Sequence, residues 1–153
     1  MKRLGLILGL LLMVFTGFAR RIAPVAPTIL DGTYSVQKLW DGEKLADVSK
    51  IKTTVTYDSK SGVTTAFFGC NRMSGSFQLT RYSIAPVQLM STEMFCSDLK
   101  NRLESNYGLR MGEVNHFTIE GLVVTFYQDD QVRIILKKQG ATVVKKKKKK
   151  KRK

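Results

Sequence analysis

The chain has 153 residues and a formal charge of +14, a length that holds one domain and not two. The charge suggests a nucleic-acid binder until it is located. Nine of the cations fall in Lys145–Lys153 and two more at Lys2 and Arg3, so the patterned region between them is only mildly basic.

Residues Leu4 to Ala19 form an apolar run behind Lys2 and Arg3. A basic n-region, an apolar h-region and small residues before the cut are the plan of a secretory signal. Gly17 and Ala19 supply the small side chains, so cleavage is expected after Ala19. Residues 1–19 then form a signal peptide, and the product is exported to a periplasm, a cell envelope or the medium. The alternative is an uncleaved anchor. A spanning helix takes about 20 apolar residues, and this run has 16. Arg20 and Arg21 balance the charges on its near side, so flanking charge does not set an orientation. No cysteine precedes Cys70, so a lipoprotein is not expected.

Residues 20–30 carry Pro24 and Pro27 with Ala and Val between them, which reads as an extended linker. Asp31-Gly32 turns the chain into the patterned region, residues 31–138. Tyr34, Val36 and Trp40 fall on one face of a first strand, with Lys38 the exception. Thr53, Val55 and Tyr57 alternate with polar neighbours, and Asp58 to Gly62 forms a turn. Val63, Thr65 and Phe67 resume the alternation, which makes the pair a hairpin. After an interruption at Gly69 to Arg72, a short strand from Ser74 to Leu79 carries Phe77 and Leu79. Tyr82 to Thr92 is apolar without clean alternation, and Pro86 demotes it to an edge or irregular strand.

Ser97 can cap the one helix in the pattern. Leu99, Leu103 and Tyr107 recur every four residues, while Lys100, Asn101, Arg102, Glu104 and Ser105 face water. Gly108 is the expected stop. Phe117 and Ile119, then Leu122, Val124 and Phe126, then Val132, Ile134 and Leu136 alternate through two tight turns as a three-strand meander. Together these predict an α+β fold. It is a compact antiparallel β-sheet or half-barrel of about seven to eight short strands, with one helix inserted before the C-terminal meander. Residues 139–153 end as a solvated poly-lysine tail that does not fold alone.

Cys70 and Cys96 are the only cysteines. In an oxidising compartment an even pair is most simply one disulfide, and in a reducing one two free thiols. The stretch Gly69-Cys70-Asn71-Arg72-Met73-Ser74-Gly75-Ser76-Phe77 resembles the signature of the META/HslJ-like domain family. A second hallmark, Ser91 to Cys96 with Met94 and Cys96 in place, is similar to the family's segment leading into its helix. The terminal meander from Phe117 to Leu136 is similar to the family's ending. The three cover about residues 31 to 138. The resemblance implies a compact antiparallel β domain with one helix. It also implies an envelope or stress-associated setting, or a secreted or membrane-proximal protein in some protists, and no established enzymatic activity. The family's fold is similar to lipoproteins that pilot secretion machinery, which implies a lipid or peptide ligand held by a curved sheet. Two features depart from the family: there is no lipobox, and the tail is not a family feature.

Catalytic chemistry is not expected. A Cys70 nucleophile would need a base, and the single histidine, His116, reads as an ordinary strand residue at the start of the meander. The residues at Gly69 to Asn71 read instead as structural, with a tight backbone at Gly69 and an Asn71 side chain bonded to its own turn. Two cysteines and one histidine without zinc spacing make no metal site, and Asp129-Asp130 is a turn before it is a calcium ligand. No phosphate loop or cofactor motif is present. Tyr34, Trp40, Tyr57, Phe67, Phe77, Phe117 and Phe126 either line a ligand cavity in the curved sheet or, more simply, fill the core.

The tail, Lys145, Lys146, Lys147, Lys148, Lys149, Lys150, Lys151, Arg152 and Lys153, is an electrostatic element in its own right. Near an anionic membrane each cation contributes roughly 1 kcal/mol. On nucleic acid the same run would release counterions without reading sequence, and no interleaved aromatics accompany it for base stacking. Two readings follow. One is an exported, non-enzymatic binding or stress-response module tethered by its tail. The other is a polybasic binder of anionic membrane or nucleic acid. Oligomeric state is not indicated.

Overall fold

The computed structural model describes residues 30–80, 82–85 and 87–140. The expected signal peptide, all of the linker but Leu30, the tail from 141 onward and Pro86 lie outside the described residues. Nine strands and one helix follow in chain order: β1 (Gly32–Trp40), β2 (Leu45–Asp47), β3 (Thr54–Asp58), β4 (Val63–Phe67), β5 (Arg72–Ser76), β6 (Met90–Ser91), α1 (Asp98–Glu113), β7 (His116–Glu120), β8 (Val123–Gln128) and β9 (Gln131–Lys138). They form one antiparallel sheet in the order β6-β5-β4-β3-β1-β9-β8-β7, with β2 paired to β1. Beyond β5 the bridge Leu79↔Ile84 folds the chain back on itself, and the bridge Ser83↔His116 links it to β7. The sheet therefore curls back on itself at the β7 end, in half-barrel fashion, which covers that edge and leaves β6 as the other.

The residues that alternate do so for the expected reason, but the phase differs in two strands. In β1, Tyr34 and Val36 are buried, and the register then shifts between Val36 and Lys38. That bulge rotates the rest of the strand. Leu39 enters the core, and Trp40 leaves it to lie under the Arg133 guanidinium at 5.2 Å. In the hairpin, Asp58 pairs with Val63 and Tyr57 with Thr64. Thr64, Ala66 and Phe68 thus share the buried face with Val55 and Tyr57, and the expected Val63, Thr65 and Phe67 face outward. The turn sets this register, which alternation alone leaves ambiguous.

β5 begins two residues before the expected strand and ends at Ser76. Phe77 is buried, and Leu79 takes part only in a bridge. The helix runs through Gly108 to Glu113 rather than stopping there. Its buried stripe is Leu103, Glu104, Tyr107 and Met111, and Leu99 is exposed. Gly108 leaves room for Met73, whose methyl lies 3.0 Å from where a Cβ would stand. Ser97 occupies the N-cap position without a side-chain cap bond. The meander forms as expected, with Phe117, Val124, Phe126, Ile134 and Leu136 buried, though Ile119 is exposed.

The core is aromatic. Tyr57 meets Tyr34 and Phe77 edge-on at 5.9 and 5.3 Å, and Phe117 packs on Phe126 at 5.9 Å. These rings fill the concave side of the sheet, so the expected aromatic set is core rather than cavity lining. Trp40 and Phe67 stand outside it.

Candidate functional site

Gly69 leaves β4 with φ of 96°, a conformation that costs glycine little and other residues much. Its carbonyl accepts from Lys100 Nζ of α1 at 3.0 Å. Cys70 follows and is bonded to Cys96, with their Cα atoms 6.2 Å apart. The bond ties the β4–β5 connection to the start of α1. His116 therefore has no thiol to activate. It stacks on Tyr127 at 4.9 Å and bonds Asn115 through Nδ1 at 2.8 Å.

Asn71 is the centre of the region. Its side chain does not bond its own turn, as the sequence suggested, but reaches segments more than twenty residues away. Oδ1 accepts from the Met94 backbone N–H at 2.7 Å and from the Thr92 hydroxyl at 3.1 Å. Nδ2 donates to Glu104 Oε2 at 2.9 Å, and the Asn71 backbone N–H donates to Glu104 Oε1 at 2.8 Å. Glu104, expected to face water, is only 4% exposed. A buried carboxyl is costly unless its oxygens are bonded, and Asn71 occupies both. Glu104 is the residue that sequence reasoning missed. A helix ended at Gly108 excludes Met111 from the stripe. Counting Tyr107 and Met111 back at helical spacing puts Glu104 on the inner face.

The other motif residues gather on the same seam. Arg72 donates its backbone N–H to Thr92 Oγ1 at 3.1 Å and lays its guanidinium 5.7 Å over Phe67. Ser74 pairs with Met90. A Cβ at Gly75 would fall on the carbonyl oxygen of Gln88, so only glycine lets the 87–89 segment cross β5 there. Lys145–Lys153 lie outside the described residues.

Between this segment and α1 runs an open groove of about 920 Å³. Met73 and the Asn71–Glu104 pair form its floor, with Val87 and Leu89 on one wall and Leu109 on the other. Its rim carries Met94, 56% exposed, Phe95, 99% exposed, and Leu109, 54% exposed. Ser105, Gly108 and Gly112 keep the helix wall low. The concave site is thus built by the helix and the 87–95 segment, not by the interior of the sheet. Chemically it offers apolar surface and carboxyls. No group of three or more His, Cys, Asp or Glu able to hold a metal occurs among the described residues. Asp129 sits in a turn with φ of 52° and accepts from Asn115 at 2.9 Å. No helix among the described residues is long and apolar enough to cross a membrane.

Residues 27–148 match the sequence model of the META domain family. Among solved structures, the chain is similar to an NMR structure of a protein from Burkholderia xenovorans. The TM-score is 0.61 with 18% identity, over 77% of this chain and 89% of that one, a likeness that establishes the fold. No curated protein matches the sequence.

Proposed function

Since the chain belongs to the META domain family, we propose that it is an exported, non-enzymatic binding module of an envelope or secreted stress response. In this reading the groove beside α1 takes an apolar ligand and the poly-lysine tail tethers the domain to anionic surfaces. The observation that carries it is the exposed apolar rim of Met94, Phe95 and Leu109 around a groove floored by Met73. Contiguous exposed apolar surface of this kind marks interaction sites. The Cys70–Cys96 bond supports export, because disulfides persist in oxidising compartments.

Two measurements test this. The intact mass of the unreduced protein from its native cell should lack residues 1–19 and be lighter by two hydrogens. A full-length, reduced chain overturns export. Nile red, a neutral apolar dye, should bind the protein and be lost in Leu109→Lys, an exposed position whose change leaves the core untouched. The run Lys145–Lys153 favours the second reading, a polybasic binder of membrane or nucleic acid. There, deletion of residues 141–153 removes all binding, and salt weakens it steeply.

A further inference from the structure

The outer wall of the groove is also the edge of the sheet. β6 ends the strand order and holds β5 through Met73↔Ser91 and Ser74↔Met90. The next residue, Thr92, donates its backbone N–H to the Arg72 carbonyl at 3.0 Å. Backbone groups in an antiparallel ladder alternate between the two sides of a strand. With Met90 and Thr92 turned toward β5, the N–H and C=O groups of Ser91 and Glu93 point away from it. No backbone partner meets them among the described residues. Leu89, Ser91, Thr92 and Glu93 all border the groove, whereas Met90 stands outside it and is exposed. An unpaired edge beside an apolar trough is the arrangement that strand addition uses.

Charge narrows the partner. The groove is lined by Glu93, Glu104 and Glu113 and by no lysine or arginine, in a chain with 26 basic and 12 acidic residues. Glu104 is occupied by Asn71, and Glu113 is paired with Arg110 at 2.6 Å. Glu93, on the exposed rim, is left to meet a ligand. An acyl chain laid here would cover the Ser91 and Glu93 backbone groups with hydrocarbon, at the cost of burying polar groups without partners. A peptide backbone would satisfy them.

We propose that β6 and the groove take an extended cationic peptide by strand addition, with alternate apolar side chains entering between the 87–95 segment and α1. This rests on the binding-module reading and names its ligand class.

The probe is a capped synthetic peptide of alternating valine and lysine, titrated into the full-length protein by calorimetry. N-methylation of alternate amides removes its donors while keeping every side chain, and should weaken binding about tenfold. Ser91→Pro deletes an N–H that the β5 ladder does not use and should have an effect of the same size. Glu93→Lys leaves the backbone intact, and should weaken the lysine peptide while strengthening its glutamate counterpart. Thermal melts check that each variant is folded, and Glu93→Lys decides the matter if Ser91→Pro is not. Equal binding of the N-methylated peptide, or indifference to Glu93→Lys, overturns strand addition. If Nile red binds and is displaced by palmitate but not by the peptide, the groove reading stands and the ligand is an acyl chain. If neither dye nor peptide binds, both proposals fail.

Discussion

Asn71 and Glu104 lie 33 residues apart and are joined by two hydrogen bonds, from the Asn71 backbone N–H at 2.8 Å and from its side-chain amide at 2.9 Å. The same amide oxygen holds the Met94 N–H at 2.7 Å. One side chain therefore fixes the spacing between the helix and the segment that forms the opposite wall of the groove.

Glu104→Ala should leave two buried donors on Asn71 without a partner and lower stability by about 2–4 kcal/mol. Asn71→Ala should do comparable damage. The double variant should lose less than the sum by about 1–2 kcal/mol. Urea unfolding of the four proteins measures this, and strict additivity would mean the two residues act independently.

The Cys70–Cys96 bond closes a loop of 26 residues, for which chain entropy gives about 3.5 kcal/mol. Replacing both cysteines by serine should lower the unfolding free energy by roughly that amount, with the slope against denaturant rising as the unfolded chain expands. Unchanged stability in non-reducing buffer would argue that the bond is absent from the protein in solution.

Tyr107 packs on Phe68 at 5.1 Å, and its buried hydroxyl makes no well-formed hydrogen bond, with the Tyr57 hydroxyl as its polar neighbour. Removing an unsatisfied buried hydroxyl should stabilise, so Tyr107→Phe is expected to add about 1 kcal/mol. A loss of that size would show that the hydroxyl has a partner after all.

Burial pushes the phenols of Tyr57 and Tyr107 well above their ordinary value of 10.0. Burial, followed by the charge of Asp31, raises Tyr34. In the fold these groups keep protons that the unfolded chain begins to lose near pH 10. Their contribution to stability is therefore intact below pH 10 and lost as pH rises above it. Phenolate absorbance should accordingly rise in part with the fold intact and complete only with loss of the folded circular dichroism signal. Full ionisation of the 5 tyrosines before unfolding would contradict their burial.

The meander was legible because Val124 and Phe126, then Ile134 and Leu136, recur at every second position on either side of a tight turn, and the helix because Leu103 and Tyr107 stand four residues apart among polar ones. Phase was not legible where one residue decides it. The bulge after Val36 and the Asp58↔Val63 pairing each move a strand by one position, and composition does not mark either. The groove was hidden for a different reason. Its floor is a glutamate on a helix face and its wall an irregular segment. The segment has no period to read, the glutamate's phase shows only when the helix is carried past Gly108 to Met111, and the aromatics that do draw the eye fill the core. Cys70, Asn71, Gly75 and Cys96 stood out in the sequence, but their partners Glu104, Met94 and Gln88 are fixed only by the tertiary fold.

β1 lies between β3 and β9. One neighbour follows it almost at once, while the other arrives about a hundred residues later, as the 102-residue separation of Ser35 and Lys137 shows. A chain that emerges amino end first can build the β3–β4–β5 side early but cannot close the middle of the sheet until its last strand is free. Pairing of this range slows folding. Whatever machinery handles the nascent protein meets an open-sided intermediate, with Tyr34, Val36 and Leu39 waiting for Ile134 and Leu136, and that side is where a chaperone would need to hold.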